Sequence, residues 1–194
     1  MALGDIIADR YRLLTEAGKG GTATVFRAFD LESNSIVALK LFDDQGQAEQ
    51  IQTELCNREA RALEKLNHDC IVKLIDVGRC TRCGFRYIAV EWVDGVTLKE
   101  YLNKVGPLSW SKFFSQIGSD LLDALCHAFE QDVSHRDVSL QNVLITNNGP
   151  IKIIDFGQAK LSNIGIGMTV AGWKTPPYSP PEEDTGRHTF TRDS

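Results

Sequence analysis

Short runs of β-branched, aromatic and aliphatic residues fill the first part of the chain and predict strands. Such side chains suit a pleated surface, whereas glycine and asparagine favour turns. Clusters with glycine or asparagine at 18–21 and 33–35 separate the first three runs. Two later runs share a tip at 80–84. The predicted strands span 11–14, 24–29, 36–41, 71–77 and 87–93.

A helical period replaces this pattern over residues 48–66. The side chains that share one face of this helix are Leu55, Glu59, Ala62, Leu63 and Leu66. Glu59 is therefore a carboxylate on an otherwise apolar face. Because a buried charge is costly unless it is paired, we expect Glu59 to have a cationic partner inside the fold.

Helical patterns also dominate the second half of the chain. Thr97 and Glu100 fit a capping box at the start of a short helix. A longer helix is predicted over 110–131. Its core-facing side chains are Phe114, Ile117, Leu121, Leu125 and Ala128. The later segments are predicted as two strands and a loop, at 143–146, 151–154 and 158–194.

The change from mostly β to mostly α patterning falls near Asp94 and Gly95. We therefore expect an α+β chain with two domains, 1–93 and 94–194. A cleft between two such parts is a natural site for a ligand, because pockets occur preferentially where domains meet.

Composition and charge narrow the class of protein. The chain has 194 residues, 42% hydrophobic and 24% charged, which is the usual mix of a globular protein. A formal net charge of -5 disfavours a general nucleic-acid binder, because phosphate backbones select basic surfaces. The sequence has neither a signal-peptide pattern nor an apolar run of about 20 residues, so we expect a cytoplasmic protein without a membrane segment.

Five cysteines are scattered along the chain: Cys56, Cys70, Cys80, Cys83 and Cys126. Their odd number, in a chain without an export signal, argues against a disulfide framework. Cys80 and Cys83 form a C-x-x-C pair, but a zinc site needs a second pair of ligands at similar spacing. The favoured interpretation is a plain hairpin tip, with zinc binding or redox chemistry as the alternatives.

A glycine-rich stretch and a strand with a lysine are the first two elements that suggest a chemical function. The stretch 18–25 is glycine-rich and lies between two strands, where glycines let backbone N–H groups approach phosphate oxygens. The stretch 37–40 is an apolar strand that ends in Lys40, the natural partner for Glu59. Taken alone, the first also fits an ordinary hairpin and the second a solvated lysine.

Two further elements supply carboxylates. The stretch 135–142 reads H-R-D-V-S-L-Q-N, so Asp137 and Asn142 lie five residues apart. A carboxylate suits accepting a proton from an attacking hydroxyl, and an amide oxygen suits a hard cation such as Mg²⁺. The stretch 153–157 places Asp155, a good Mg²⁺ ligand, at the end of a buried strand. Either segment alone also fits a polar turn.

With Glu59 and the segment 180–182, these elements resemble the signature set of the eukaryotic-type serine/threonine protein kinases. That set is a glycine-rich loop, V-A-I-K, a helix glutamate, H-R-D-x-x-x-x-N, D-F-G and A-P-E. All six have counterparts here in that order, over residues 18–182. The resemblance implies a bilobal fold, with a small antiparallel β N-lobe that carries one helix and a mostly α C-lobe. It also implies ATP and Mg²⁺ as cofactors and a protein substrate with a Ser or Thr acceptor.

The resemblance assigns the nucleotide-binding roles. Glu59 would hold Lys40, which would contact the α- and β-phosphates. The backbones of Glu91 and Val93 would bond to adenine, with Val90 behind them. The full set of residues implied to contact the nucleotide is Gly18, Gly20, Gly21, Val25, Ala38, Lys40, Val90, Glu91 and Val93.

The resemblance also assigns the metal and catalytic roles. Asn142 and Asp155 would bind Mg²⁺, and Asp137 would be the catalytic base. Arg136 is the family's mark of control through the activation loop. Thr169 is the first choice of phosphoacceptor there, since an added phosphate would pair with Arg136.

The chain departs from the family pattern in three places. Ala23 replaces the third glycine of the loop, a mild change. Ser139 stands where serine/threonine kinases usually carry a lysine, and losing one such electrostatic contact costs on the order of 10²–10³ in rate. A slow catalyst is therefore expected. The chain also ends at Ser194, where the family continues with further helices, which predicts an incomplete C-lobe with exposed apolar faces and poor stability.

Two other functions fit part of the pattern. One is a non-catalytic ATP-binding or interaction module of the pseudokinase kind, although the catalytic set shows no residue-level loss. The other is a small-molecule phosphotransferase of the antibiotic-kinase type, which shares the catalytic Asp, the Asn and a metal Asp. The pair at 156–157 and the segment 175–182 favour a protein kinase over the latter.

Overall fold

The computed structural model describes residues 1–42, 49–147 and 149–161. The chain divides into two compact units. The first comprises Met1–Glu64 and Lys73–Val93, and the second comprises Lys65–Val72 and Asp94–Ser194. Residues 65–72 therefore group with the second unit, although two strands of the first unit follow them in sequence.

The first unit is a six-stranded antiparallel sheet with one helix. Its elements are β1 (Ile6–Ile7), β2 (Tyr11–Lys19), β3 (Thr24–Asp30), β4 (Ser35–Phe42), α1 (Glu49–Lys65), β5 (Leu74–Arg79) and β6 (Arg86–Glu91). The sheet order is β1-β2-β3-β4-β6-β5, so β1 and β5 form its edges. The helix and the strands predicted over 11–14, 24–29, 36–41 and 87–93 are confirmed, and β2 runs further than predicted, through two register shifts against β3.

One face of this sheet carries a hydrophobic core cluster of the first unit. Side chains alternate between the faces of a strand, and the inward set in β3 and β4 is almost wholly buried. The core cluster consists of Ile7, Tyr11, Leu13, Phe26, Ala28, Val37, Leu39, Leu41, Cys80, Tyr87 and Ala89. The alternation that predicted the strands therefore also decides which residues form the core.

Side chains join the two edges of the sheet. The hydroxyls of Tyr11 on β2 and Tyr87 on β6 donate to Oδ2 of Asp76 on β5, at 2.9 and 3.1 Å. The Arg10 guanidinium reaches the same oxygen at 3.5 Å and forms a closer bidentate pair with Asp30, at 2.8 and 2.7 Å. The sheet is therefore curled, so that its β1–β2 edge contacts its β5 edge.

The strand predicted over 71–77 begins later, at Leu74, and ends at Arg79. Ile71 instead forms a parallel bridge with Ile153, and the Val72 N–H donates to the Ile153 carbonyl at 3.0 Å. These apolar residues satisfy their backbone within the second unit, which is why the strand of the first unit starts only after them.

The second unit combines helices with two small sheets. Its elements are β7 (Gly95–Thr97), α2 (Leu98–Val105), α3 (Trp110–Phe113), α4 (Ser119–Glu130), β8 (Val133–Ser134), β9 (Val143–Thr146), β10 (Lys152–Ile153) and β11 (Lys160–Leu161). The sheet orders are β10-β9-β7 and β11-β8. The predicted capping box is confirmed, since Thr97 and Glu100 exchange both hydrogen bonds at the start of α2. None of the helices within the described ranges combines enough length with enough apolar character to cross a membrane.

The single helix predicted over 110–131 is wrong in its middle. A π-helical turn, Phe114–Gly118, separates α3 from α4. The wider turn rotates the helix face, so Phe114 is 42% exposed rather than in the core, and Leu121 is only half-buried. The rings of Trp110 and Phe114 lie 6.0 Å apart. Ile117, Leu125 and Ala128 are buried as predicted.

The loop predicted over 158–194 contains a short strand at its start. β11 pairs with β8, with Lys160 opposite Ser134 and Leu161 opposite Val133. A strand of two residues carries too little alternation to be found in a sequence. The rest of the predicted loop lies outside the described residues.

Candidate functional site

A buried ion pair joins α1 to β4 in the first unit. The Lys40 ammonium lies 2.7 Å from Oε2 and 3.0 Å from Oε1 of Glu59. The Glu59 side chain is 5% exposed and that of Lys40 is 16% exposed. Because a buried carboxylate is strongly destabilising without a partner, this contact explains how an apolar helix face tolerates a charge. The predicted cationic partner of Glu59 is confirmed.

The residues predicted to face the nucleotide share one face of the sheet with Lys40. Val25 is paired with Lys40 across β3 and β4, and Ala38 is paired with Val90 across β4 and β6. Directly paired residues lie on the same face, as do residues two apart in one strand. Val25, Ala38 and Val90 are all half-buried. The sheet therefore presents a small apolar surface next to the ammonium group, on the face opposite the core cluster.

The end of β6 is fixed by a double contact. The Glu91 N–H donates to the Lys73 carbonyl, and the Glu91 carboxylate accepts from the Lys73 N–H, both at 3.0 Å. Val93 follows two residues later and is half-buried. The adenine-binding role of Glu91 and Val93 stays a prediction.

The glycines of the β2–β3 turn leave the backbone uncovered. A Cβ added to Gly18 would meet no atom within 4 Å, and one added to Gly20 would meet the Ala23 carbonyl oxygen at 3.6 Å. Neither glycine has a left-handed φ, and Gly21 is exposed. Neither backbone conformation nor packing requires Gly18 or Gly20 to lack a side chain. The open space next to their backbone fits the approach of a phosphate.

The loop of the second unit holds Asp137 through Asn142. The Asn142 side-chain nitrogen donates to the Asp137 carbonyl at 2.8 Å and to its Oδ2 at 3.0 Å. The Asn142 N–H donates to the Ser139 carbonyl at 3.0 Å and closes the loop. Because both amide protons point at Asp137, the Asn142 amide oxygen is directed away from that carboxylate. The loop therefore presents an oriented carboxylate and a separate amide oxygen.

His135 organises this loop, a role that the sequence analysis did not assign. Its ring is fully buried and lies 4.5 Å from that of Phe156. Nδ1 accepts the Asp137 N–H, and Nε2 lies 3.2 Å from the Ile154 carbonyl, to which a neutral imidazole protonated at Nε2 donates. The signal for this role is the spacing, since a histidine two residues before Asp137 can accept its N–H.

Asp155 adopts a rare backbone conformation at the end of β10. Its φ and ψ are 64° and 74°, and its carboxylate accepts the Gly157 N–H at 3.3 Å. Arg136 also has a positive φ, of 66°. For residues other than glycine this conformation costs on the order of 1–3 kcal/mol and is concentrated at functional sites. The Ile154 N–H donates to the Asn142 carbonyl at 2.9 Å, which joins the Asp155 segment to the loop.

The donor set of Asn142 and Asp155 fits Mg²⁺. Within the part of the chain that the structure describes, no group of three or more His, Cys, Asp and Glu side chains is arranged to hold a metal. Mg²⁺ does not need such a cage, because it keeps several waters and binds one or two protein oxygens together with substrate phosphates. An outward amide oxygen and a carboxylate, linked through a backbone hydrogen bond, meet that requirement.

The predicted roles of Ser139 and of the segment after residue 161 are not tested by the described residues. Ser139 is 7% exposed, and its backbone carbonyl closes the loop, so a short hydroxyl occupies the position where the resemblance implies an ammonium. Thr169, the segment 175–178 and the glutamate of 180–182 lie outside the described residues. Their predicted roles stay predictions.

Comparison with known proteins identifies the family of this chain. A family model described as "Protein kinase domain" matches residues 11–191. This match covers most of the chain and includes every site residue discussed above. The chain therefore belongs to the protein kinase family.

Curated relatives narrow the class further. The chain is 36% identical over 186 residues to the probable serine/threonine-protein kinase PknB of Lactococcus lactis. The aligned region covers 95% of this chain and 29% of that relative. It is 36% identical over 189 residues to the serine/threonine-protein kinase PrkC of Bacillus subtilis, and the aligned region covers 96% of this chain and 28% of that relative. The serine/threonine-protein kinase pkn3 of Myxococcus xanthus is 33% identical over 193 residues, and the aligned region covers 95% of this chain and 35% of that relative. The chain thus spans about a third or less of the length of these relatives.

Proposed function

We propose that this chain transfers the γ-phosphate of ATP to a serine or threonine hydroxyl of a protein substrate, in a reaction that depends on Mg²⁺. The observation that carries the proposal is the orientation of Asp137, whose carboxylate is held by Asn142 and whose N–H is held by His135. The names of the relatives favour serine/threonine kinase chemistry over a small-molecule phosphotransferase.

Asp137 acts as the general base. A positioned carboxylate accepts the proton of the attacking hydroxyl as the bond to phosphorus forms, and such catalysis is worth about 10²–10⁴ in rate. The hydrogen bond from Asn142 occupies Oδ2. That bond fixes the carboxylate, and Oδ1 is the oxygen that would accept the proton of the substrate hydroxyl.

Lys40 binds the phosphates of the nucleotide, and Glu59 fixes the position of its ammonium. Lysine side chains have several rotatable bonds, so a partner at 2.7 Å removes most of the freedom that binding would otherwise have to restrict. The glycines at 18 and 20 leave backbone N–H groups accessible to the same phosphates.

Asn142 and Asp155 would hold Mg²⁺, which supplies charge neutralisation on the phosphates when it is bound. The amide oxygen of Asn142 is available for this because its nitrogen is committed to Asp137. Ser139 supplies no positive charge, so we expect the phosphate transfer to be slower than that of a kinase with lysine there, by on the order of 10²–10³.

The test is the Asp137→Asn variant of the full chain, assayed for transfer of radioactive phosphate from ATP to itself and to a generic serine/threonine substrate. Removing the base lowers transfer by about 10²–10⁴-fold, while nucleotide affinity, measured with a fluorescent ATP analogue, stays unchanged. The matched control is Asp69→Asn, which alters an exposed aspartate of the same unit and keeps full transfer.

Two results would count against the proposal. Equal transfer by the parent chain and Asp137→Asn would remove the catalytic role of Asp137. ATP binding by the parent chain with no transfer to either substrate, whether Mg²⁺ is present or not, would favour the non-catalytic nucleotide-binding module instead.

A further inference from the structure

The tip between β5 and β6 holds two thiols for which phosphate transfer has no use. Cys80 is 2% exposed and belongs to the core cluster, and the half-buried Cys83 packs against that cluster. Both are free thiols in this structure. The tip lies at the β5 edge of the sheet, where the side chains join that edge to β1 and β2.

The backbone of the tip brings the two cysteines together. The Gly84 N–H donates to the Cys80 carbonyl, and the Cys80 N–H donates to the Phe85 carbonyl, both at 2.8 Å. Residues three apart in a tight turn have Cα atoms within about 7 Å, and a disulfide requires about 4.4–6.8 Å. The turn therefore brings the two cysteines within reach of each other for an S–S bond.

A backbone N–H from outside the tip contacts the Cys80 sulfur. Ala8, which follows β1, donates to it at 3.5 Å. Burial opposes ionisation of Cys80, but hydrogen bonding with Cys83 and Ala8 outweighs it and holds the pKa of Cys80 below the ordinary value. Burial and the neighbouring Cys80 raise the pKa of Cys83. Cys80 is therefore the better thiolate of the two, whereas Cys83 is the more accessible thiol.

The other buried thiols have the opposite environment. Burial, with a smaller contribution from Glu59, raises the pKa of Cys56 to about 12. Burial and nearby aspartates raise the pKa of Cys70 to about 11. These two cysteines are therefore structural, and they serve as internal references for the pair at the tip.

We propose that Cys80 and Cys83 form a reversible intramolecular disulfide by exchange with a small-molecule disulfide. Cys83, the more exposed, attacks one sulfur of the oxidant as its thiolate, and a small thiolate leaves. The Cys80 thiolate then attacks the Cys83 sulfur and displaces the second small thiolate. Two protein thiols are oxidised, one disulfide is reduced, and the two protons pass to the departing thiolates.

A metal site is less consistent with the same residues. Tetrahedral zinc needs four ligands, and in residues 1–42, 49–147 and 149–161 no group of three His, Cys, Asp or Glu side chains is arranged to hold a metal.

The test equilibrates the full chain with reduced and oxidised glutathione, blocks free thiols and digests with trypsin. Cleavage after Arg79, Arg82 and Arg86 separates the cysteines, so the disulfide joins peptides 80–82 and 83–86 in mass spectrometry. Forming an intramolecular disulfide releases two small thiols. Diluting total glutathione about tenfold at a constant ratio of its two forms therefore raises the oxidised-to-reduced protein ratio about tenfold.

Matched variants complete the experiment. Cys83→Ser leaves Cys80 to form a mixed disulfide with glutathione, whose fraction does not respond to the dilution, and Cys126→Ser behaves as the parent chain. The dilution test on the parent chain stands by itself if Cys83→Ser does not fold. Absence of the joined peptides under fully oxidising glutathione overturns the proposal. So does stoichiometric zinc that is lost in Cys80→Ser.

Discussion

In the first unit, Lys40 and Glu59 meet from a strand and a helix, 19 residues apart in sequence, and each charge offsets the other. In the second unit, Asp137 and Asn142 are five residues apart in one loop, and a neutral amide holds the carboxylate. The first arrangement is a charge pair that helps to hold the fold together. The second arrangement orients the Asp137 carboxylate by a hydrogen bond from a neutral side chain instead of by a charge.

This difference separates stability from catalysis. Removing one member of a buried pair is destabilising because it takes away the charge against which the other was buried, so we expect a change at Glu59 to affect folding and function together. A change of Asp137 to asparagine removes a charge for which the described residues supply no salt bridge, and it keeps the oxygen that accepts from Asn142. The Asp137→Asn variant should therefore lose transfer while its unfolding free energy changes little.

The largest effect on stability is expected for Glu59→Gln. The amide keeps the shape of the side chain but removes the carboxylate charge that lies 2.7 Å from the Lys40 ammonium. We expect a loss of roughly 3–5 kcal/mol in unfolding free energy, measured by urea denaturation of the full chain, with loss of phosphate transfer. Glu64→Gln, an exposed position on the same helix, is the control and should stay within about 0.5 kcal/mol.

The double variant Lys40→Met with Glu59→Leu isolates the two roles of the pair. Replacing both charges by apolar groups of similar size is often neutral or stabilising, so we expect most of the stability to return. Transfer should stay absent, because no ammonium is left to bind phosphate. If the double variant is as unstable as Glu59→Gln, the pair is not the cause of the loss.

A smaller, pH-dependent effect is expected at Asp30, a second buried carboxylate of the first unit. Hydrogen bonds from the Arg10 guanidinium, with further bonds from Ser33 and Glu32, hold its pKa well below the usual range. The folded state therefore gains stability above the pKa of an unfolded aspartate, about 4, and loses it as the pH falls from there toward the lower folded pKa.

Comparison with Asp30→Asn measures this contribution. Hydrogen bonds to a charged group are worth about 1.5–3 kcal/mol each, so the parent chain should be more stable than the variant by roughly 2 kcal/mol at about pH 7. The gap should narrow as the pH falls below about 4. A gap that stays constant across this range would mean that the carboxylate charge contributes nothing.

Local features of the site could be predicted from the sequence. The apolar stripe around Glu59 required a buried cation, and Lys40 is the charged residue of the otherwise apolar strand β4. The spacing of Asp137 and Asn142 fits one loop, since five residues suffice to bring two side chains together. In each case the deciding interaction is short in sequence or follows from the cost of an unpaired charge.

Features that depend on distant partners were not predicted. The start of β5 depends on Ile71 pairing with Ile153, and the curl of the sheet depends on Tyr11 and Asp76, 65 residues apart. The π-helical turn Phe114–Gly118 adds a residue to one turn, and hydrophobic periodicity does not register so local a change. No segment of sequence read alone contains this information.

The smallest effect is expected for Gly18→Ala, which tests whether any first-unit residue acts on ligand without supporting the fold. The added Cβ meets no atom within 4 Å, and φ is not left-handed, so unfolding free energy should be unchanged or slightly higher. Affinity for a fluorescent ATP analogue should fall by about 3–10-fold, at most about 1.4 kcal/mol, because the methyl group narrows the approach to the backbone.

Gly78→Ala is the contrasting control, because its Cβ would lie 2.6 Å from the Tyr87 hydroxyl, and it should destabilise the sheet. Destabilisation by Gly18→Ala would mean that the glycine supports the fold, and unchanged affinity would mean that it does not act on the nucleotide.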